Sequence, residues 1–404
     1  MKMRVIFAGL LLGTAAALYA QVTVGGSVDM SIVPFQLVQG DEYEDAYGNT
    51  NRHPNTMGAG MGGVLHGGNA PRIRLDMRAV NADHRIGMRV RLQALAPTQG
   101  ANVGVENFLQ AWWSPLEWLR IDAGRFDDDR LRGRIGWDEM GMFTNMMFNQ
   151  DQIFSRIRVR NGLMLSATPV EGLLLAGALR ELVQFSPGTN NPGDVSQVNP
   201  DHRHQNGNAW RNMTFALGYT IADIGTIRVQ YIGDVLPAGA PGITKDNDLE
   251  LAFALTAIDS LLLDLGAKLH FVYAMDDPNF AFSLGARFRA DALELIGRVD
   301  TQIGRVVPGT APAEYQNSNN LFRLNAHIWP SFQLDAARVV LNFGIDYMEM
   351  PGNEDNRTDL GVGVSLQRNF FGNSRVRGGL ALAIPTDSSR GMTFTVPLFL
   401  DWTF

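Results

Sequence analysis

The last residues of the chain, 392–404, read MTFTVPLFLDWTF and leave little choice of backbone. Met392, Phe394, Val396, Leu398, Leu400, Trp402 and Phe404 take every second position. Thr393, Thr395, Pro397, Phe399, Asp401 and Thr403 lie between them. A β-strand sends successive side chains to opposite faces, so this strand has one wholly apolar face and one mostly polar face. It runs to the final residue, where an unpaired strand frays. Pairing on both sides, as in a closed barrel, is therefore expected. Taken alone, the same pattern could also end a soluble sandwich.

The start of the chain limits the compartment. Residues 1–20, MKMRVIFAGLLLGTAAALYA, have a basic start (Lys2, Arg4), an uncharged apolar core from Val5 to Leu18, and a small residue at position 20. This is the pattern of a cleaved secretory signal peptide. It is too short for a spanning helix, which needs about 20 apolar residues, and no later uncharged stretch is long enough. A membrane could be entered only as a barrel. Residues 21–404 then form one domain, with the first strand starting almost at the cleavage point.

Composition excludes some chemistry. With no Cys there is no disulfide framework, thiolate metal site or Cys nucleophile. Formal charge is −7, and loss of Lys2 and Arg4 with no acid takes it to −9, which argues against a nucleic-acid partner. Lysine occurs only at 2, 245 and 268, so nearly all basic residues are Arg, whose planar fork suits fixed ion pairs.

Alternation then recurs along the chain. Strands are expected at about 22–32, 71–80, 85–95, 105–113, 118–126, 155–167, 173–184, 210–220, 226–234, 248–257, 261–273, 280–289, 293–302, 320–329, 333–348, 357–368, 374–384 and 392–404. Short turns, such as Asn81-Ala82-Asp83 and Ile258-Asp259-Ser260, alternate with longer loops at about 38–69, 126–153 and 186–209. An even strand number with this alternation is the rule for bacterial membrane barrels, whose short turns are periplasmic. The expected fold is all-β: a closed antiparallel transmembrane barrel of about 18 strands, 16 being the other option. Trp112, Trp113 and Trp118 beside a short turn suggest an interfacial aromatic belt. Leu173–Leu175 are apolar on both faces, so the register of that strand stays open.

The C-terminal strand resembles the terminal signature of bacterial outer-membrane β-barrels: a final Phe404, an aromatic at Trp402 and apolar Leu400 before it. The resemblance implies recognition by the barrel-assembly machinery, a bacterial cell outer-membrane location and contact with outer-membrane lipid.

Residues between the lipid-facing ones would line the lumen. They include Arg72, Arg74, Arg78, Arg85, Arg89, Arg91, Arg120, Arg156, Arg158 and Arg160, one basic wall on neighbouring strands. Such a wall needs counter-charges. The loop at 126–153 holds Asp127, Asp128, Asp129, Asp138 and Glu139 and can supply them if it folds inward. This arrangement resembles general porins, where the third external loop bends into the barrel and faces an Arg cluster. The resemblance implies a charged constriction, passage of small solutes and a homotrimer. The bland alternative is a solvated loop, with the arginines paired locally to Asp76 and Asp122. No lumenal aromatic ladder suited to sugars is readable.

Other chemistry finds little support. His270 and His327 fall on lumen-facing positions, and His202 and His204 lack a third ligand. No nucleophile triad, phosphate loop, metal site or cofactor motif is readable, so no enzyme is expected. Two readings remain: a passive channel with a weak anion preference, sieving by size and charge, or a surface protein whose long loops bind host or partner molecules.

Overall fold

The computed structural model describes residues 20–44, 49–61, 72–95, 102–130, 157–180, 213–233, 245–272, 279–304, 321–349, 356–370, 373–387 and 389–404. Of the leader expected at 1–20, only Ala20 falls within these residues; it opens the first strand, β1 (Ala20–Val38). Three short strands follow: β2 (Glu42–Glu44), β3 (Thr50–Arg52) and β4 (Thr56–Met61). The next are β5 (Arg72–Asn81), β6 (Ile86–Leu95), β7 (Asn102–Leu116), β8 (Leu119–Asp128), β9 (Ile157–Ala167) and β10 (Leu173–Leu179). They continue with β11 (Met213–Ile221), β12 (Gly225–Gly233), β13 (Lys245–Ile258), β14 (Leu261–Val272), β15 (Asn279–Ala290) and β16 (Leu293–Gly304). The last are β17 (Leu321–Gln333), β18 (Arg338–Met348), β19 (Arg357–Phe370), β20 (Ser374–Pro385) and β21 (Thr393–Thr403). The described residues contain no helix.

From β5 onward each strand pairs antiparallel with its sequence neighbour, and β1 pairs with β21 to close the ring. β2 and β3 form a separate hairpin. β4 and β5 share one edge of β1: β4 pairs along Ile32–Val38, and β5 along Ala20–Asp29. Counting those two as one stave, the molecule is a closed antiparallel barrel of eighteen.

The expected loop at 38–69 is thus partly wall. Thr56–Met61, TMGAGM, lacks the apolar–polar alternation that marks a half-buried strand, so its pairing is invisible in the sequence. The ladders of β1 slip between Ile32 and Phe35 toward β21, and between Val33 and Gln36 toward β4. Pro34 lies in both gaps; it has no N–H to give to a ladder, and such residues are confined to edges and bulges.

The distribution of side chains is inverted relative to a soluble protein. Exposed residues include Ile73, Met88, Leu165, Leu251, Phe280, Phe343, Val362, Leu366 and Leu398, all on the outer face. Buried residues include Asp122, Arg228, Asp264, Lys268, Arg298, Asp300, Asn325 and Asn342, all on the inner face. Among the described residues the ring closes with each of its strands from β5 to β21 paired on both sides, the condition for crossing hydrocarbon. The barrel therefore spans a bilayer through its strands. Leu174, inward against the interior cluster, and Leu175, outward, settle the ambiguous register of β10.

The short turns lie at one end: 82–85, 117–118, 168–172, 222–224, 259–260, 291–292 and 334–337, with the short connection from Phe370 to Ser374 at the same end. At that end the seam closes. The Gly26 N–H donates to the Phe404 carbonyl at 2.9 Å, and the Phe404 N–H to the Gly26 carbonyl at 3.0 Å. The Phe404 ring covers Gly26, where any Cβ would collide with it.

Candidate functional site

The basic wall forms on β5–β8, and its counter-charges come from the wall itself. On β5, Arg74, Asp76 and Arg78 share the inner face. Asp76 sits across from Arg91, and Arg78 across from Arg89. Arg89 grips Asp76 through Nε (2.9 Å) and Nη2 (2.5 Å), and Arg91 does so through Nε (3.0 Å) and Nη2 (2.7 Å). On β8, Arg120 holds Asp122 through Nε (3.0 Å) and Nη2 (2.6 Å). Gln110 Nε2 donates to the same carboxylate at 2.7 Å, and Asp122 is fully buried. Among the described residues Arg78 makes no ion pair. Its guanidinium instead lies over the Trp112 ring, 5.2 Å from the centroid.

That Trp is a feature sequence reading misplaced. Trp112 is buried in the lumen, not in the aromatic belt; of the three only Trp113 and Trp118 stand exposed on the outside. Consecutive strand residues face opposite ways, so Trp112 and Trp113 cannot both meet lipid. Arg78 and Arg120 flank the Trp112 ring, the latter at 4.7 Å. Phe108, on the same face of β7, carries Arg89 at 3.9 Å and Arg91 at 4.6 Å. Cation–π contact of this kind favours Arg over an aromatic face. A lumenal aromatic stripe therefore exists, each ring shared by two arginines. Gly87, paired with Trp112, leaves the room: a Cβ there would collide with the indole.

These groups line a recess of about 570 Å³, open to the lumen and bounded also by Thr23, Asp127, Asp128, Arg130 and Met164. Arg130 pairs with Asp128 at 2.5 Å where the third long loop begins, and Asp129 beside them is exposed.

β9 departs from the expected wall. The β8–β9 ladder runs from Gly124↔Gly162 to Phe126↔Val159, so β9 gains one residue and inverts its faces. Ile157 and Val159 turn inward and are buried, while Arg158 is exposed and sits opposite Asp127 on the other face. Arg158 thus does not join Arg89 and Arg120, as uninterrupted alternation would require. The bulge falls at Arg160–Asn161, where no Pro or Gly pair announces it. Arg156, Asp138 and Glu139 lie outside the described residues, as do the side chains of Arg72 and Arg160.

Two further inner sectors escaped sequence reading. Phe108, Phe126, Ile157, Val159, Met164, Ala176, Ala178 and Ala216 form a buried apolar cluster inside the barrel. On the far wall Lys268 bridges Asp248 (2.6 Å) and Glu250 (3.3 Å), and Arg228 Nη2 meets Asp264 at 2.9 Å. Arg298 pairs with Asp300 at 2.7 Å, and His327 stacks on Trp329 with ring centroids 5.6 Å apart. The side chain of His270 is outside the described residues. Among the described residues no group of three His, Cys, Asp or Glu could hold a metal ion. The site can present charge, hydrogen bonds and flat rings to a solute.

No protein-family model matches the chain, and no curated protein matches it in sequence. Solved structures do match in fold. The crystal structure of OpdQ from Pseudomonas aeruginosa aligns with a TM-score of 0.52 at 10% identity, covering 94% of this chain and 98% of that one. The outer-membrane channel DcaP of Acinetobacter baumannii aligns with a TM-score of 0.50 at 8% identity, covering 96% and 98%. The chain thus shares the large-barrel fold of such outer-membrane proteins, as the resemblance to porins implies.

Proposed function

We propose that the protein is a porin of the bacterial outer membrane, a passive channel for small polar or charged solutes and not an enzyme. The observation that carries this reading is the inversion of the barrel: apolar outside, charged and hydrogen-bonding inside, with an arginine-lined recess on the inner wall. A barrel serving only as a scaffold has no need of so many interior charges. The narrow zone lies beside β5–β8, and an inward-folded third long loop is supported by its two stems, Phe126 on one side and Ile157 and Val159 on the other, which pack in the buried apolar cluster. Its acids Asp128, Asp129, Asp138 and Glu139 then share the constriction with the Arg wall, while Asp127 pairs across the ladder with Arg158. Arg78 contributes the most to a weak anion preference, because it makes no ion pair among the described residues, whereas Arg89 and Arg91 share Asp76 and Arg120 pairs with Asp122, which leaves the wall with net positive charge. The leader at 1–20 is removed on export, Leu400, Trp402 and Phe404 are read by the assembly machinery, and the barrel forms homotrimers.

The test is single-channel recording of refolded residues 21–404 in a planar bilayer with a salt gradient. Discrete conductance steps are expected, with a reversal potential of the sign for anions. Arg78→Glu should shift that potential toward cations, whereas Arg158→Glu, on the other face, should leave it unchanged. A folded, heat-modifiable barrel without steps would overturn the channel reading and favour a loop-mediated binding role.

A further inference from the structure

The short-turn mouth carries a charge pattern that the lumenal site does not use. Seven of its eight turns hold one acid each: Asp83, Glu117, Glu171, Asp223, Asp259, Asp291 and Asp335. All seven are exposed. The one arginine in these turns, Arg85, reaches Glu117 at 3.6 Å. The opposite rim is different. There ion pairs include Glu42 with Arg52, Asp128 with Arg130, Asp346 with Arg323, and Asp359 with Arg357 and Arg390; at the strand ends beside the short turns, Arg289 and Arg338 pair with Glu294 and Arg375 with Asp401, which leaves the turn acids outside these pairs. Just inside the acidic ring lies the cationic patch, since Arg78, Arg89 and Arg120 all fall within the first few residues of the strands that spring from the turns.

We propose that this ring makes the channel rectify: current passes more easily in one direction than in the other. The inference rests on the channel reading and adds a polarity to it. Fixed negative charge at a mouth gathers cations; fixed positive charge just inside gathers anions. When the short-turn side is positive, cations move inward from the ring and anions move toward it from the patch. Both carriers accumulate where the zones meet, and conductance rises. With the opposite polarity both are drawn away and conductance falls. The effect needs fields that reach across the mouth. The Debye length is about 10 Å at 0.1 M salt and about 3 Å at 1 M, so rectification belongs to dilute salt.

The experiment records current at equal and opposite voltages in symmetric KCl, with barrels inserted from one side. At about 0.1 M the current ratio should depart from one, the larger current flowing with the short-turn side positive; near 1 M it should return to one. The comparison protein combines D83N, E171Q, D223N, D259N, D291N and D335N, leaving the Arg85–Glu117 pair intact. Asn tolerates the left-handed backbone of Asp223 (φ 60°) and Asp291 (φ 48°), so these turns keep their shape. This variant should show equal currents in dilute salt and wild-type conductance in 1 M salt. Conductance steps with a ratio of one in wild-type barrels at low salt would overturn the inference while leaving the channel reading intact. Rectification that survives in the variant would also overturn it. Absence of any steps would instead remove the channel itself.

Discussion

Arg78 and Arg89 face each other directly across the β5–β6 ladder, two like charges at a position where opposites are favoured. The conflict is relieved by divergence. Arg89 turns to Asp76 and the Phe108 face, and Arg78 turns to Trp112. Asp76 is therefore the keystone of the wall. Replacing it with Asn should cost roughly 1.5–3 kcal/mol in denaturant unfolding, the range for hydrogen bonds to charged groups. The same change should move the reversal potential toward anions, because Arg89 and Arg91 lose their counter-charge. A reversal potential equal to wild type would count against a conducting role for this wall.

Gly87 makes the berth for Trp112. A side chain at 87 must displace the indole, and with it the ring that Arg78 and Arg120 share. Overpacking of this kind typically costs about 1–3 kcal/mol. Gly87→Val should lower the unfolding temperature of the heat-modifiable band and shift Trp fluorescence toward a more solvated environment. An unchanged spectrum would mean that the berth is not tight.

Lys268 stands alone between two buried carboxylates. Lys268→Met removes the ammonium that Asp248 and Glu250 share, and breaking a buried pair costs about 3–5 kcal/mol. Adding Asp248→Asn and Glu250→Gln should recover most of that loss. If the triple variant is no more stable than the single one, the loss comes from packing of the lysine stem and not from charge.

The last long loop has a built-in acid limit. The Asp387 carboxylate accepts hydrogen bonds from Ser389 Oγ (2.6 Å) and the Ser389 N–H (2.9 Å), which hold its pKa below the usual 3.8. A depressed acid stabilises the loop fully above its unfolded value and loses that contribution as pH falls through the folded one. The Ser389 amide should therefore titrate below pH 3.8 in NMR spectra, and an Asp387→Asn barrel should show no such transition. A midpoint at or above the ordinary value would disprove the cap.

The fold was readable because period-two alternation survives wherever one face meets lipid. Phe280, Leu284 and Phe288, or Leu360, Val362 and Val364, announce their strands without help. Reading failed where alternation is absent or interrupted. β4 has too few apolar side chains to show a period. The bulge in β9 inverts its faces with no Pro or Gly pair to warn of it, so parity alone puts Arg158 in the lumen. The site was half legible. Arg89, Arg91 and Arg120 could be placed by parity, and Asp76 and Asp122 could be named as local partners. Trp112 could have been found by the same parity rule, since Trp113 already occupied the outer face. The Lys268 cluster spans β13 and β14, and pairing across strands depends on register, which one sequence does not fix.

The seam between Gly26 and Phe404 has a consequence for the timing of assembly. Apart from the β1–β21 ladder, the described rungs join strands close in sequence, so most of the sheet can zip up hairpin by hairpin from local contacts. Among the described ladders only that of β1 with β21, which the Gly26–Phe404 rung ends, joins residues almost the whole chain apart, and distant contacts are the slow ones. Until it forms, β1 and β21 are open edges that can template pairing with another chain. A nascent barrel is thus nearly complete in structure yet most exposed to misassembly just before its final residue docks.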